Sequence, residues 1–135
     1  MTMARYSHGT LHRPIGERLA HIGDAAHRAS PQLGQGANMA LLDAFALAAA
    51  LRQHHLPDAL RRYAQARRWH IAIYQMMSAL FTPQYQSDSR LQPWIRDQLL
   101  LPISKISPGP RILSRLVCGD LVPPYGSLLP NNALP

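Results

Sequence analysis

The chain has 135 residues, of which 47% are hydrophobic, so it is long and apolar enough to bury the core of one domain. Fourteen basic residues against seven acidic ones give a net charge of +7, yet no basic run is interleaved with aromatic residues, so nucleic-acid binding is not expected. The longest apolar run, residues 44–51, is far shorter than the roughly 20 residues of a membrane span, and the N-terminus lacks the apolar stretch of a secretion signal. These properties predict a soluble, cytoplasmic protein, and the single cysteine, Cys118, excludes an internal disulfide.

The first predicted elements are an extended arm at residues 4–14 and a short apolar strand at residues 18–22. The strand ends at Gly23-Asp24, and a loop then leads to a glycine-rich helix start. This layout puts an acidic side chain at the end of a strand and backbone amides at the N-terminus of a helix. Ligands of α/β sheets bind at such edges, and exposed helix amides attract negative charge.

Two long helices are predicted next. The first runs from Gly36 to His54, where alanines favour the helix, and Pro57 ends it. The second begins at Asp58 and stops at Pro83, with apolar side chains recurring at helical spacing.

The second half of the chain is rich in proline, and the elements predicted for it are short. Helices are expected at residues 91–101 and 111–118, with Gly119 as the C-terminal cap of the second one. The tail, residues 120–135, is expected to be extended and to depend on a partner surface for order. The residues alone therefore predict a mainly α fold with a small β element.

The glycine-rich segment carries the chemistry predicted for this chain. The Asp24 carboxylate can accept hydrogen bonds from the vicinal hydroxyls of a sugar or sugar-alcohol chain, and Gly23 lets a ligand approach the backbone. The amides of Gly36, Ala37 and Asn38, with the dipole of their helix, would stabilise negative charge, as on a phosphate or on the N1–C2=O edge of a reduced flavin. A turn that only caps a helix is the alternative interpretation of the same glycines.

The full string from Gly23 to Asp43 is much more specific than its glycines alone. Residues 18–51 closely resemble the second flavin-binding motif of the FAD-dependent aromatic hydroxylases. These are the group A flavoprotein monooxygenases, the para-hydroxybenzoate hydroxylase and ubiquinone-biosynthesis hydroxylase family. The family pattern runs from an apolar strand through Gly-Asp-Ala-Ala-His, a proline, Gly-x-Gly and an Asn to an Asp. Here the matching residues are Gly23, Asp24, Ala25, Ala26, His27, Pro31, Gly34, Gly36, Asn38 and Asp43.

The resemblance implies an FAD-dependent enzyme that hydroxylates an aromatic or similar small organic substrate with O2 and NAD(P)H. Asp24 would hold the ribityl hydroxyls of FAD, Pro31 would lie beside the isoalloxazine ring, and Asp43 would support the structure. His27 either approaches the flavin or serves as a hydrogen-bonding loop residue. No catalytic acid or base is expected in this segment. The cofactor-binding residues implied are Gly23, Asp24, Ala25, Pro31, Gly34, Gln35, Gly36, Ala37 and Asn38.

The chain departs from the family pattern because it lacks the N-terminal Gly-x-Gly-x-x-Gly that cradles the pyrophosphate. It therefore resembles the C-terminal part of an α/β Rossmann-type, glutathione-reductase-like FAD-binding fold. An N-terminal FAD- and substrate-binding portion or subunit is the expected partner. Residues 1–56 would be a partial FAD-binding domain, residues 57–119 a helical region and residues 120–135 a proline-rich tail.

Other functions stay open at this point. A related flavin reductase or halogenase would share the Gly-Asp region. A basic helical module that contacts a partner or a membrane surface through residues 99–101 and 128–129, without flavin chemistry, is the alternative from another class. The arginine pairs at residues 61–62 and 67–68 are typical of a solvated helix face. No ligand set accompanies the seven histidines, so no metal site is expected.

Overall fold

The structure is a computed structural model that describes residues 7–30, 34–86 and 106–118, together with residues 94, 97, 98, 102, 121, 125 and 128. Within these ranges the chain is mainly helical, as predicted, with one short strand. The elements are the strand β1 (Gly9–Thr10) and the helices α1 (Asp24–His27), α2 (Gly36–Gln53), α3 (Leu56–Gln86) and α4 (Gly109–Cys118). None of the described helices is both long and apolar enough to cross a membrane.

The N-terminal arm contains β1, which pairs with the segment just after the Gly-Asp step. The strand forms antiparallel bridges with His27 and Arg28. The amide of Leu11 adds a hydrogen bond to the carbonyl of Ala26 at 2.8 Å. The arm therefore holds the end of α1 in place through backbone contacts.

The strand predicted at residues 18–22 is not formed in the described chain. Instead, Ile15 and Ala20 make an isolated antiparallel bridge, and the amide of Gly16 donates to the carbonyl of Leu19 at 2.8 Å. This part of the chain folds back on itself as a tight turn. A stable strand needs neighbours along its length, and among the described residues segment 18–22 bridges only to this turn.

Helices α2 and α3 run antiparallel and form the body of the described chain. Ala50 and Ala59 share a buried cluster close to the two-residue connection, whereas Met39 packs with Tyr74 at the far end of the pair. The separation of packed helices depends on the side chains at their contact, and alanine allows a close approach. This close packing brings side chains of α3 next to the start of α2.

Two prolines do not have their predicted roles. α2 ends at Gln53, and Pro57 is instead the second residue of α3, where first-turn amides have no helical partner and proline is well tolerated. A stop is predicted at Pro83, but α3 continues to Gln86. Because Pro83 lies about one turn from the end, its missing amide removes a single hydrogen bond of the helix.

The helix predicted at residues 111–118 is confirmed as α4, which begins two residues earlier, at Gly109. The helix predicted at residues 91–101 lies outside the described residues, apart from three isolated positions, and so does the cap at Gly119. The helix at residues 91–101 and the cap at Gly119 therefore stay predictions.

Two described positions of the tail pack on α2. Leu128 is buried in the same cluster as the alanines near the helix connection. The ring of Tyr125 lies 4.9 Å from the ring of Phe45. At these positions the tail therefore packs on this chain's own helices.

Candidate functional site

The Gly23-Asp24 step is a tight, buried turn that leads directly into α1. Gly23 has a φ of 55°, a backbone conformation that side-chain-bearing residues rarely adopt. A Cβ at this position would lie 2.9 Å from the Cβ of Ala40 on α2. Glycine is thus required within the chain itself, both for the turn and for the close approach of α2. The turn ends with Asp24 as the exposed first residue of α1.

The start of α2 leaves its first amides without a side-chain cap from the N-cap residue. That residue is Gln35, whose Oε1 accepts a hydrogen bond from Asn38 Nδ2 at 2.7 Å instead. The backbone carbonyl of Gln35 accepts from the amide of Met39 at 2.8 Å, so the amides of Gly36, Ala37 and Asn38 precede this first helical bond. With the dipole of an 18-residue helix behind them, these amides form an electropositive end.

The turn and the helix start meet at a cavity of about 270 Å³. Asp24 Oδ1 lies 4.0 Å from the position that a Cβ on Gly36 would take, so the carboxylate faces the N-terminus of α2. Gly34, with a φ of 62°, has no described atom within 4 Å of its own Cβ position, which leaves the entrance open. Among the predicted site residues, those that line the cavity are Asp24, Gly34, Gln35 and Gly36.

The other predicted site residues do not line this cavity among the described residues. Gly23, Ala25 and Ala37 are direct neighbours of lining residues in the chain, and Asn38 lies two residues after Gly36. Pro31 lies outside the described residues.

Helix α3 supplies the wall that the sequence analysis missed. Tyr74, Gln75 and Ser78 line the cavity, on one face of the helix. Gln75 Nε2 donates to the carbonyl of Arg28 at 3.2 Å, and Ser78 Oγ donates to the carbonyl of Ser30 at 3.1 Å. The spacing of these three residues marks a shared face, but nothing in the sequence says that this face meets the glycine loop.

A larger and more apolar cavity, of about 540 Å³, lies between residues 10–14 and α3. His27 and Gln75 line both cavities. None of the predicted ligand-binding residues that the structure describes lines this second cavity. The smaller, less apolar cavity is therefore the candidate site.

Beneath the candidate site, the buried Asp43 carboxylate binds three donors. Its Oδ2 accepts the amide of Gly23 at 2.8 Å and Nε2 of His27 at 2.5 Å, and its Oδ1 accepts Nε of Arg67 at 2.7 Å. Burial by itself would raise the pKa of Asp43, but the hydrogen bonds from His27, Arg67 and Gly23 outweigh it, and the pKa lies below its usual value. Asp43 is therefore a buried anion, and His27, which lines the cavity, is also its hydrogen-bonding partner.

Arg67 contradicts the prediction of a solvated arginine pair. Its side chain is 0% exposed, whereas the neighbouring Arg68 is exposed. The guanidinium donates to Nδ1 of His70 at 3.0 Å and contacts the sulfur of Met39 at 3.7 Å, besides its bond to Asp43. A buried cation is stable only when its donors are paired, and these contacts supply the partners.

Comparison with known proteins shows the family of this chain. The model of the family described as FAD binding domain matches residues 4–76, more than half of the chain. The chain belongs to the FAD-binding-domain family. The predicted relation to the FAD-dependent hydroxylases is confirmed by its relatives.

Of two curated relatives of this FAD-binding-domain chain, one is a synthase and the other a monooxygenase by name. It is 35% identical over 102 residues to 2-heptyl-3-hydroxy-4(1H)-quinolone synthase of Pseudomonas aeruginosa, which covers 76% of this chain and 26% of that protein. It is 34% identical over 114 residues to kynurenine 3-monooxygenase of Salinispora tropica, which covers 82% of this chain and 22% of that protein. The chain thus spans about a quarter of the length of these relatives.

A solved structure shares the fold of this FAD-binding-domain chain. It is Klebsiella pneumoniae HpxO complexed with FAD and uric acid, with a TM-score of 0.70 and 26% sequence identity. The match covers 87% of this chain and 29% of HpxO. Both the sequence and the structure comparisons therefore match the chain to part of a longer flavoprotein.

Proposed function

We propose that this chain is the C-terminal part of an FAD-dependent monooxygenase that hydroxylates an aromatic or similar small organic substrate, with O2 and NAD(P)H as co-substrates. The observation that carries the proposal is the smaller cavity, in which the Asp24 carboxylate faces the start of α2. Family membership and the names of the relatives support this class of enzyme.

The residues of the cavity fit a flavin cofactor. Asp24 is exposed and can accept hydrogen bonds from the hydroxyls of a ribityl chain. The amides of Gly36, Ala37 and Asn38 would face the electron-rich pyrimidine edge of the ring system, where they stabilise negative charge. The open space around Gly34 lets a ligand approach the backbone at this point.

When bound, FAD supplies the redox chemistry, namely the uptake of a hydride from a nicotinamide and the activation of O2. The residues of this chain bind and orient the cofactor. Gln75 and Ser78 brace the loop at residues 28–30 and so keep the wall of the cavity in place. No side chain of the cavity is assigned as a general acid or base.

The rest of the nucleotide site belongs to the same proposal. A Rossmann-type portion with the pyrophosphate-binding glycines would come from the remainder of a longer protein or from a separate subunit. The small share of each relative that this chain covers supports that arrangement. A cytoplasmic location is proposed with it, since the cofactor and the nicotinamide donor are available there.

The test is FAD binding by the purified chain, measured by flavin fluorescence, with Asp24→Ala compared with Asp58→Ala. Each variant removes one exposed carboxylate, but Asp58 lies in the first turn of α3, away from the cavity. Hydrogen bonds to a charged group contribute about 1.5–3 kcal/mol, so Asp24→Ala should weaken binding by about 10- to 100-fold. Asp58→Ala should bind FAD as the wild type does.

If Asp24→Ala and the wild type bind FAD equally, the assigned site is wrong and the proposal is contradicted. If the wild-type chain gives the circular dichroism of a folded helical protein but binds no FAD, this chain holds the cofactor only together with the Rossmann-type portion of the proposal.

A further inference from the structure

The short helix that carries Asp24 is held at both ends by one carboxylate. The amide of its N-cap residue, Gly23, and the ring of its last residue, His27, both donate to Oδ2 of Asp43. A four-residue helix is not stable by itself, because helix formation requires a costly nucleus. The position of Asp24 therefore depends on contacts from outside α1, and Asp43 supplies them at each end.

The other oxygen of Asp43 contacts a different element, helix α3. Oδ1 accepts from Nε of Arg67, a residue of α3 that also contacts His70 and Met39. Arg67 thus holds the carboxylate through the oxygen that does not bind Gly23 or His27. Oδ1 therefore binds the residue that holds the carboxylate, whereas Oδ2 binds the turn and the end of α1.

Asp43 also ties the turn to the second half of the site. It lies two helical turns after Gly36, on the helix whose N-terminus faces Asp24. A helix is rigid over two turns, so a contact between Asp43 and Gly23 determines the separation between the Asp24 carboxylate and the first amides of α2.

We infer that Asp43 is a positioning residue of the cofactor site, which holds Asp24 opposite the N-terminus of α2, and that Arg67 holds Asp43 through the other carboxylate oxygen. This inference rests on the proposed function. Asp43 itself does not line the cavity, so its effect on the cofactor passes through Gly23 and His27.

The experiment compares Asp43→Ala with Arg67→Met in the full 135-residue chain. Each variant removes one member of the same buried ion pair, but only Asp43→Ala also removes the contacts with Gly23 and His27. FAD affinity, measured at equal folded fraction, should fall by about 10- to 100-fold in Asp43→Ala, the loss expected when the hydrogen bonds of Asp24 to the cofactor are not made. In Arg67→Met it should fall by only a few-fold, because the contacts with the turn remain.

Hydrogen exchange at the Gly23 amide gives a second measurement, which needs no flavin. The amide should exchange much faster in Asp43→Ala than in Arg67→Met, since only the first variant removes its acceptor. Equal exchange rates in Asp43→Ala and the wild type would overturn the inference. FAD affinities that fall in proportion to lost stability in both variants would also overturn it, because the cluster would then be merely structural.

The double variant Asp43→Ala with Arg67→Met covers the case in which Asp43→Ala does not fold. It leaves no unpaired buried charge, so it should be more stable than Asp43→Ala alone. Its FAD affinity should nevertheless stay as low as expected for the single variant. Recovery of affinity together with stability would contradict the positioning role. Equal FAD binding by Asp24→Ala and the wild type would overturn the proposed function instead, and the Gly23 exchange rates would still show whether Asp43 holds the turn.

Discussion

Two ion pairs in this chain have the same length and opposite surroundings. Arg67 Nε lies 2.7 Å from Asp43 Oδ1, and both side chains are 0% exposed. Arg61 Nη2 lies 2.7 Å from Asp58 Oδ1, but these side chains are 67% and 60% exposed. The distance between the charged groups therefore says nothing about which pair matters to the fold.

The different exposure of the two pairs shows that burial decides what an ion pair can contribute to the fold. In the exposed pair, water and salt screen the attraction, and either partner is easily solvated when the other is removed. In the buried pair, each charge depends on hydrogen bonds within the protein, and Asp43 uses its remaining oxygen to hold the turn at Gly23. Only the buried pair can therefore transmit the position of one element to another.

The largest expected effect is on stability when the buried pair is broken. Asp43→Ala should lower the free energy of unfolding by about 3–5 kcal/mol, because it leaves the Arg67 cation buried and unpaired. Urea denaturation followed by circular dichroism measures this loss. A loss below about 1 kcal/mol would mean that water reaches Arg67 in the variant and that the contrast between the two pairs is weaker than burial suggests.

The second prediction compares a buried and an exposed glycine that both have positive φ. Gly34→Ala should cost about 1–2 kcal/mol of unfolding free energy, because its backbone is left-handed while the space around it is open. Gly23→Ala should cost about a further 1–3 kcal/mol, because its Cβ would also meet Ala40. Thermal unfolding of the two variants checks the order. If backbone conformation alone decided the cost, the two variants would lose similar stability, because the two φ angles are 55° and 62°.

The third prediction concerns acid. The folded-state pKa of Asp43 lies below the ordinary value of 3.8, so its charged form adds stability above that value and the contribution is lost as pH falls through the folded pKa. Unfolding free energy should therefore decline below about pH 4 in the wild type, and less steeply in the double variant that lacks the buried pair. The pKa of Asp58 is also lowered, by its hydrogen bond with Arg61, but solvent screens this exposed group. An acid profile of Asp58→Asn that differs from the wild type would contradict this assignment.

The smallest expected effect belongs to the exposed pair. Asp58→Asn should leave the melting temperature unchanged within error at physiological salt, since the pair lies on the surface of α3. Calorimetry at low and at physiological ionic strength measures it. A clear drop in melting temperature at physiological salt would mean that surface charge contributes more to this helix than its exposure allows.

Much of the fold was predictable because its signals are local. Alanine-rich sequence predicts α2, apolar side chains at helical spacing predict α3, and the short helix predicted at residues 111–118 lies within α4. The predicted roles of Pro57 and Pro83 are wrong because a proline indicates a possible helix boundary but does not show whether a helix ends before it, begins at it or continues past it. The strand at residues 18–22 was wrong because a strand depends on neighbours elsewhere in the chain.

The site was predictable only in the part that a contiguous motif carries. The Gly-Asp step and the glycine-rich helix start follow from one stretch of sequence, and four of its residues do line one cavity. The wall formed by Tyr74, Gln75 and Ser78 could not be predicted in the same way. It depends on how α3 packs against α2, which no local pattern records.

By itself, the sequence determined that the chain is mainly helical, that it belongs with flavin-binding proteins and that Asp24 and the start of α2 carry the candidate chemistry. These features depend on residue type and short spacing, which act within a few residues of each other. Only the tertiary structure decided that Arg67 is buried rather than solvated and that it pairs with Asp43. The arginines at positions 67 and 68 are adjacent in the sequence and chemically identical, and their environments differ because the packing of α3 on α2 turns one inward and the other outward.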